Sequence, residues 1–445
     1  MRFTILLLTL LFLGMSEPSA VAGIKPKQIA LKNGITLFII EHHTLPIVSV
    51  ELLMPVGSIH DPTGRSGVAS MTASLLDEGT KNRTSKQISE EVDYIGAGLG
   101  ASADLESTAV SLRVLKKDIE KGFNLLSDIV LYPSFETKEF ERVRQLVLGS
   151  IHSEKDSPGV IADRAFNKIV FGSHPYANPV IGTEETVTQM TQADLISFYQ
   201  TRYLPKGSFF SIVGDVTEKE AVRLVEKYFA KWGDRSKGAP KTASVPKPVS
   251  QPRKTELIQK DLTQTTVLMG HLGIRRNHSD FYPIAVMNYI LGGGGFSSRL
   301  LTHIRDNKGL VYSVYSAFSP YRQEGSFEIT LQTKASNTNE AIAAVQEEIA
   351  LIRKTGVTET ELAEAKAYMI GSFPLRLETT TKLSKLLSSV GFHELGLAYF
   401  DDYPKYIEKV TQESILKAAQ TYLSPDQISL VVVGNLEAAK IKVLP

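Results

Sequence analysis

The chain has 445 residues, of which 42% are hydrophobic and 22% charged, and 49 basic against 48 acidic side chains give a net charge of +1. This length is too great for a single compact core and predicts two or more domains. The balanced charge gives no sign of nucleic-acid binding or of electrostatic adhesion to membranes. Cysteine is absent, which excludes disulfides, thiolate zinc sites and cysteine nucleophiles together.

The N-terminus predicts a secretory signal peptide over residues 1–22. Arg2 precedes an apolar run, residues 3–15, that is too short to span a bilayer comfortably. Small residues follow at 19–22 (SAVA) and predict cleavage after Ala22. A buried or anchoring helix is the alternative interpretation. We expect a soluble, exported protein without a membrane anchor after cleavage, located in the periplasm of a bacterium.

The sequence contains an internal repeat. The segments LISFYQTRYLPKGSFFSIVGDV and ILKAAQTYLSPDQISLVVVGNL each read as an amphipathic helix, a proline-containing turn and a β-branched strand that ends in Val-Gly. Tyr203 aligns with Tyr422, and Gly214 aligns with Gly434, at an offset of about 220 residues. Two further pairs of segments follow the same order at nearly the same offset. The repeat therefore predicts a duplicated domain.

The repeat and a proline-rich stretch divide the chain into three parts after the signal peptide. An N-terminal domain is predicted at 23–234, an exposed linker at 235–254 and a C-terminal domain at 255–445. Strands and helices do not alternate strictly, which argues against a doubly wound parallel sheet. We expect an α+β fold in which each domain has a mainly antiparallel sheet packed by helices.

Several helix starts can be predicted from capping patterns. Thr84, Thr217 and Thr358 are each followed three residues later by Gln or Glu, just before an amphipathic run.

A search for catalytic motifs finds none of the common ones. The nine histidines include no H-x-x-E-H or H-E-x-x-H spacing, and FHELGL has Leu397 where a second histidine would be needed. No G-x-S-x-G turn is present, although a serine triad assembled from distant residues remains an alternative. The residues themselves thus predict no metal site in this chain.

The most distinctive segment is LGGGGFSSRLLTHIRDNKGLVYSVYSAF. Its glycines expose backbone groups that an extended peptide can approach, and a phosphate-binding loop would need Gly-Lys-Ser/Thr instead. A helix is predicted over 297–308, capped by Gly309 and followed by a strand. Arg305 and Tyr312 could hold a peptide through carboxylate and carbonyl groups. The alternative is a helix-terminal arginine and an ordinary strand tyrosine.

These segments resemble peptidase family M16, which includes pitrilysin, insulin-degrading enzyme and the mitochondrial processing peptidase. The resemblance rests on SGVASMTASLLDEGT, LPKGSFFSIVGDV and GGGGFSSRL…IRDNKGLVYSV, and it extends over nearly all of the chain after the signal peptide. It implies two homologous α+β domains that form half of a clamshell around a peptide chamber.

The resemblance also implies that a zinc site has been lost. The family's H-x-x-E-H motif, in which two histidines bind zinc and the glutamate activates water, falls on Ser70, Ala73 and Ser74. A further glutamate of that site is expected near Gly149 and Ser150. All four functions are missing, so this chain is expected to be inactive alone and to hold no metal.

Arg305 and Tyr312, by contrast, match a pair that holds the substrate peptide in zinc-containing relatives. The residues implied in substrate binding are Arg305, Tyr312, Gly292, Gly293, Gly294, Gly295 and Phe296. The resemblance thus implies a non-catalytic, peptide-binding subunit of a heterodimeric M16B zinc metallopeptidase, with the zinc in the partner. The alternative is a peptide-binding or scaffold protein of the same fold with no proteolytic role.

Overall fold

A computed structural model describes residues 24–232 and 245–441 of the chain. The predicted signal peptide, residues 1–22, and residues 235–244 of the predicted linker lie outside the described residues. Among the helices of the described ranges, none combines the length and the apolar character needed to cross a bilayer.

The N-terminal half is built on a six-stranded sheet. Its strands are β1 (Lys27–Ala30), β2 (Thr36–Glu41), β3 (Ile47–Met54), β4 (Gly98–Ala103), β5 (Thr108–Leu115) and β6 (Phe209–Gly214). Its helices are α1 (Val68–Ser74), α2 (Ser85–Tyr94), α3 (Ile119–Leu131), α4 (Thr137–Glu154), α5 (Pro158–Phe171), α6 (Glu184–Thr188), α7 (Gln192–Arg202) and α8 (Glu218–Phe229). The strand order is β1-β2-β6-β3-β5-β4, and only β2 and β6 are parallel neighbours.

The C-terminal half has a five-stranded sheet. Its strands are β7 (Thr255–Gln259), β8 (Gln264–Leu272), β9 (Val311–Ser319), β10 (Ser326–Lys334) and β11 (Ser429–Gly434). Its α-helices are α9 (Phe281–Asn288), α10 (Thr338–Thr355), α11 (Glu359–Ser372), α12 (Thr380–Phe392), α13 (Tyr399–Glu408), α14 (Gln412–Tyr422) and α15 (Leu436–Ala439). The strand order is β7-β11-β8-β10-β9, and only β7 and β11 are parallel.

The two sheets repeat one topology. The order β2-β6-β3-β5-β4 matches β7-β11-β8-β10-β9 strand for strand, with the single parallel pair at the same place. Strands β6 and β11 end at Gly214 and Gly434, the two glycines that the sequence aligned. The predicted fold class, two mainly antiparallel sheets packed by helices, is confirmed.

Three helix caps agree with the sequence. Thr84, Thr217 and Thr358 each accept the backbone N–H of the residue three positions later, as predicted.

Helices α7 and α14 begin after the equivalent caps Thr191 and Thr411, and they end at Arg202 and Tyr422. Arg202 is therefore the residue equivalent to Tyr422 in the repeat. The predicted alignment of Tyr203 with Tyr422 was wrong by one residue. The helical period fixes the alignment only within the helix. An alignment made through the turn that follows can therefore shift by one residue.

The two halves exchange one helix each. Helix α12 of the C-terminal half packs against β3 and β6, whereas α5 of the N-terminal half packs against β8 and β11. Ser388 on α12 donates to the Ser211 hydroxyl on β6 at 2.9 Å, and the Ser49 and Thr380 hydroxyl oxygens are 2.8 Å apart. Strands β6 and β11 are thus covered by helices of both halves. Burial on both faces explains the unbroken apolar run Leu430–Val433 in β11.

Candidate functional site

Helix α1 carries the positions where the resemblance places a zinc motif, and its start is tightly fixed. Gly67 precedes the helix with a φ of 100°, and a Cβ there would lie 2.8 Å from the carbonyl oxygen of Ile181. The carboxylate of Asp61 accepts the backbone N–H groups of Gly67 and Ala69, both at 2.8 Å. Burial nevertheless raises the pKa of Asp61 to about 7, because it disfavours the charged form more than these two bonds favour it.

The side chains at the predicted site do not fit a zinc ion. Ser70 and Ser74 are partly exposed hydroxyls, Ala73 is fully buried, and Gly149 and Ser150 are exposed on α4. Zinc sites in proteins use imidazole, carboxylate or thiolate ligands, and these five residues offer none. Throughout residues 24–232 and 245–441, no three His, Asp or Glu side chains are grouped so that they could hold a metal ion.

The Gly-rich loop of the C-terminal half is partly structural and partly exposed. Gly292 is buried, and a Cβ there would lie 2.6 Å from the backbone nitrogen of Ser316 on β9. Gly293 and Gly295 are exposed, and Gly295 has a φ of 61°. Because Gly292 is enclosed, the part of the loop that a peptide can reach runs from Gly293 to Phe296.

Two π-helical segments, Tyr289–Gly293 and Leu301–Asn307, flank this loop. The second lies within the helix predicted at 297–308, although the turn before it, Gly295–Ser297, is a 3₁₀-helix. The predicted cap at Gly309 is confirmed, since its φ is 66° and its N–H donates to the carbonyl of Arg305 at 2.9 Å. Such wide turns are uncommon in helices and are frequent at functional sites.

The guanidinium of Arg305 contacts an aromatic ring. Its guanidinium carbon lies 5.7 Å from the ring centre of Phe296, a side chain that is 79% exposed. No carboxylate of the described residues forms an ion pair with Arg305. The guanidinium is thus placed by a cation–π contact, and its hydrogen-bond donors have no carboxylate partner in the described residues.

Tyr312 is the extra residue of a β-bulge at the start of β9. Val311 pairs with Thr333 and Ser313 pairs with Gln332, so Tyr312 has no partner on β10. Its side chain is 55% exposed, and its hydroxyl makes no hydrogen bond to a residue of the described ranges. A bulge redirects a side chain away from the regular alternation of a strand, and here it directs a phenol outward at the sheet edge.

Two contacts near the loop were not predicted. Arg299 forms a bidentate ion pair with Glu361, at 2.6 and 2.7 Å, and donates to the Gly356 carbonyl at 3.0 Å. Tyr289 stacks on Tyr368 of α11 with ring centres 5.1 Å apart. The capping pattern at Thr358 singled out Glu361, but no local signal pairs it with an arginine so distant in sequence.

Both halves of the chain match models of one protein family. Residues 37–184 match the family model described as insulinase (peptidase family M16), and residues 189–369 match the one described as the peptidase M16 inactive domain. An uncharacterized zinc protease of Mycobacterium leprae is 30% identical over 418 residues, 92% of each chain. One from Bacillus subtilis is 28% identical over 81% of this chain and 86% of its own length.

Solved structures show the same similarity. The crystal structure of a peptidase M16 inactive domain from Pseudomonas fluorescens superposes with a TM-score of 0.87 at 28% identity, covering 92% of this chain and 98% of that one. A protease from Helicobacter pylori shares the fold, with a TM-score of 0.82 at 23% identity, over 92% of this chain and 99% of its own.

Proposed function

The chain belongs to peptidase family M16, and from this premise we propose that it is the non-catalytic, peptide-binding subunit of an exported zinc metallopeptidase of the M16B type. In this role it supplies Arg305, Tyr312 and the Gly-rich loop to a zinc-bearing partner chain. The observation that carries the proposal is the composition of α1, which has Ser70, Ala73 and Ser74 where the resemblance to the family places two metal ligands and a base.

The side chains of Arg305 and Tyr312 are suited to binding a peptide. Peptide hydrolysis by a metalloenzyme needs a metal-activated water and separate groups that hold the scissile segment in place. The second task can be done on another chain, provided that its groups face the peptide. Arg305 offers a guanidinium without a carboxylate partner in the described ranges, and Tyr312 offers an exposed phenol. Both can donate to peptide carbonyls.

The edge of the C-terminal sheet supports the same role. Strand β9 pairs with β10 on one side only, so backbone N–H and C=O groups along its other side have no strand partner in the described residues. An extended peptide can add to such an edge by main-chain hydrogen bonds. Tyr312 and Tyr315 project from this strand, at 55% and 50% exposure, and would lie beside a peptide bound there.

Export is part of the proposal. Residues 1–22 have the charge, apolar run and small-residue pattern of a signal peptide, which directs the chain to the periplasm of a bacterium.

The alternative function, a peptide-binding or scaffold protein with no proteolytic role, uses the same surface without a catalytic partner. The two functions are separated by isolating the chain from its native cells through an affinity tag and identifying the proteins bound to it. We expect a second M16 chain that contains H-x-x-E-H, and zinc-dependent peptidase activity in the isolated complex. A complex without such a chain, and without activity, would favour the scaffold function.

A further inference from the structure

A second candidate site lies in the N-terminal half, away from the Gly-rich loop. A pocket of about 450 Å³ opens between the C-terminal end of α7 and the segment that precedes α1. Its apolar wall includes Pro62, Pro175, Phe198 and Pro246. Arg202, the last residue of α7, also lines it. The pocket thus combines an apolar surface with a cationic group.

Arg202 is unpaired within the described residues. Its guanidinium forms no hydrogen bond or ion pair with any residue of 24–232 or 245–441, although the residue is partly buried. Burial lowers the pKa of Arg202, and neither acid that lines the pocket, Asp61 or Asp194, forms an ion pair with it. A partly desolvated guanidinium without a counter-ion is costly, and an anionic ligand would relieve that cost.

At the equivalent position of the C-terminal half, the side chain has an acidic partner. Tyr422 occupies the equivalent place at the end of α14. Its hydroxyl donates to Asp280, directly before α9, at 2.6 Å, and its ring contacts His278 with ring centres 5.5 Å apart. In the N-terminal half Asp61, an acid that lines the pocket, is already bonded to the N–H groups that begin α1. Arg202 is therefore left without the partner that its counterpart has.

His60 provides a second donor in the same pocket. Its Nδ1 accepts the backbone N–H of Gly57 at 3.3 Å, so the proton of the neutral ring is on Nε2. Burial and the nearby charge of Arg202 lower the pKa of His60 to about 4, which keeps the ring neutral at physiological pH. The other acid that lines the pocket, Asp194, is bonded to the backbone N–H and hydroxyl of Thr191.

We propose that this pocket binds a carboxylate attached to an apolar body. The guanidinium of Arg202 and the Nε2–H of His60 donate to the two carboxylate oxygens, while the apolar wall covers the rest of the ligand. The C-terminus of a peptide that ends in a large apolar residue and a free medium-chain fatty acid both have this chemistry. The site is independent of the proposed peptidase role.

The test is calorimetric titration of the purified full chain with three probes: a tripeptide ending in leucine with a free carboxylate, the same peptide as its C-terminal amide, and octanoate. At least one free acid should bind, and the amide should bind about tenfold or more weakly, because it loses a charge-assisted bond. Binding of the peptide alone or of octanoate alone identifies the source of the ligand.

Three variants complete the experiment. Arg202→Gln should weaken acid binding about tenfold or more. Arg202→Tyr should do the same while preserving the fold, since the duplicated half has tyrosine at this position. The control Arg275→Gln, at an exposed position of the other half, should bind like the natural chain. The proposal is overturned if acid and amide bind equally, if neither acid binds, or if both Arg202 variants bind unchanged.

Discussion

The guanidinium of Arg305 lies over the face of Phe296, with its carbon 5.7 Å from the ring centre. Phe296 is at the exposed tip of the Gly-rich loop, and Arg305 is near the end of the helix that follows this loop. The contact links the loop to the arginine, so both approach a ligand as one unit. A cation–π contact at an exposed site is worth about 0.5–1 kcal/mol, enough to bias the side chain without fixing it.

In the proposed complex with a zinc-bearing chain, removing either donor should reduce turnover. Arg305→Ala and Tyr312→Phe should each lower kcat/KM by about 10- to 100-fold, because in the proposed role each removes a hydrogen bond that positions the peptide. The measurement is steady-state cleavage of a fluorogenic peptide. Tyr94→Phe is the control for Tyr312→Phe, since Tyr94 is an exposed tyrosine on α2 in the other half. Unchanged kinetics in complexes that still form would assign both residues a structural role.

Gly292 should tolerate no side chain. A Cβ there would lie 2.5 Å from Oγ and 2.6 Å from the backbone nitrogen of Ser316, so Gly292→Ala should lower the free energy of unfolding by about 1–3 kcal/mol. Gly149→Ala is the control, because that helical position faces open space and should gain up to about 1 kcal/mol. Urea denaturation measures both. Equal stability of the two variants would show that the loop does not approach β9 so closely.

The ion pair between Arg299 and Glu361 should make stability fall in acid. Burial alone would raise the pKa of Glu361, but its bonds to Arg299 and to the backbone of Thr358 outweigh burial and lower it from 4.5 to about 2. A carboxylate with a depressed pKa stabilises the fold fully above about pH 4.5, and this contribution is lost as the pH falls towards 2.

Glu361→Gln should therefore lower the free energy of unfolding at pH 7 by about 1–2 kcal/mol and flatten its decline between pH 4.5 and 2. The control is Glu347→Gln, which breaks the exposed pair with Lys308 and should change stability by less than about 0.5 kcal/mol. Parallel pH profiles for the natural chain and Glu361→Gln would contradict this account.

The exchanged helices should make the two halves unfold together. Helix α12 covers the N-terminal sheet and α5 covers the C-terminal sheet, so unfolding one half exposes apolar surface of the other. Differential scanning calorimetry should show one transition, with the van't Hoff enthalpy close to the calorimetric enthalpy. Two resolved transitions would show that the contact between the halves is weak.

Local patterns predicted much of this architecture, because they depend on residues close together in sequence. The duplication was visible in segments that end at Gly214 and Gly434, and the caps at Thr84 and Thr358 follow from short-range hydrogen bonds. The exchange of helices was not predicted, since the contact between Ser211 and Ser388 joins residues that share no local pattern.

The details of the candidate site were harder to predict for the same reason. The alternation in VYSVYS indicates a strand but gives no sign that Tyr312 is the extra residue of a bulge, which depends on the register with β10. The unpaired state of Arg202 likewise depends on which side chains surround it in space. Residue types at the site could be listed from sequence, whereas their partners could not.

The central claim is that this chain binds peptides and that a partner cleaves them. It is tested most directly by measuring, on the purified chain alone, the zinc content by mass spectrometry and the cleavage of a mixed peptide library. We expect well under one zinc ion per chain and intact peptides, with cleavage only after the zinc-bearing partner is added. One tightly bound zinc per chain, together with chelator-sensitive cleavage by the chain alone, would contradict the claim.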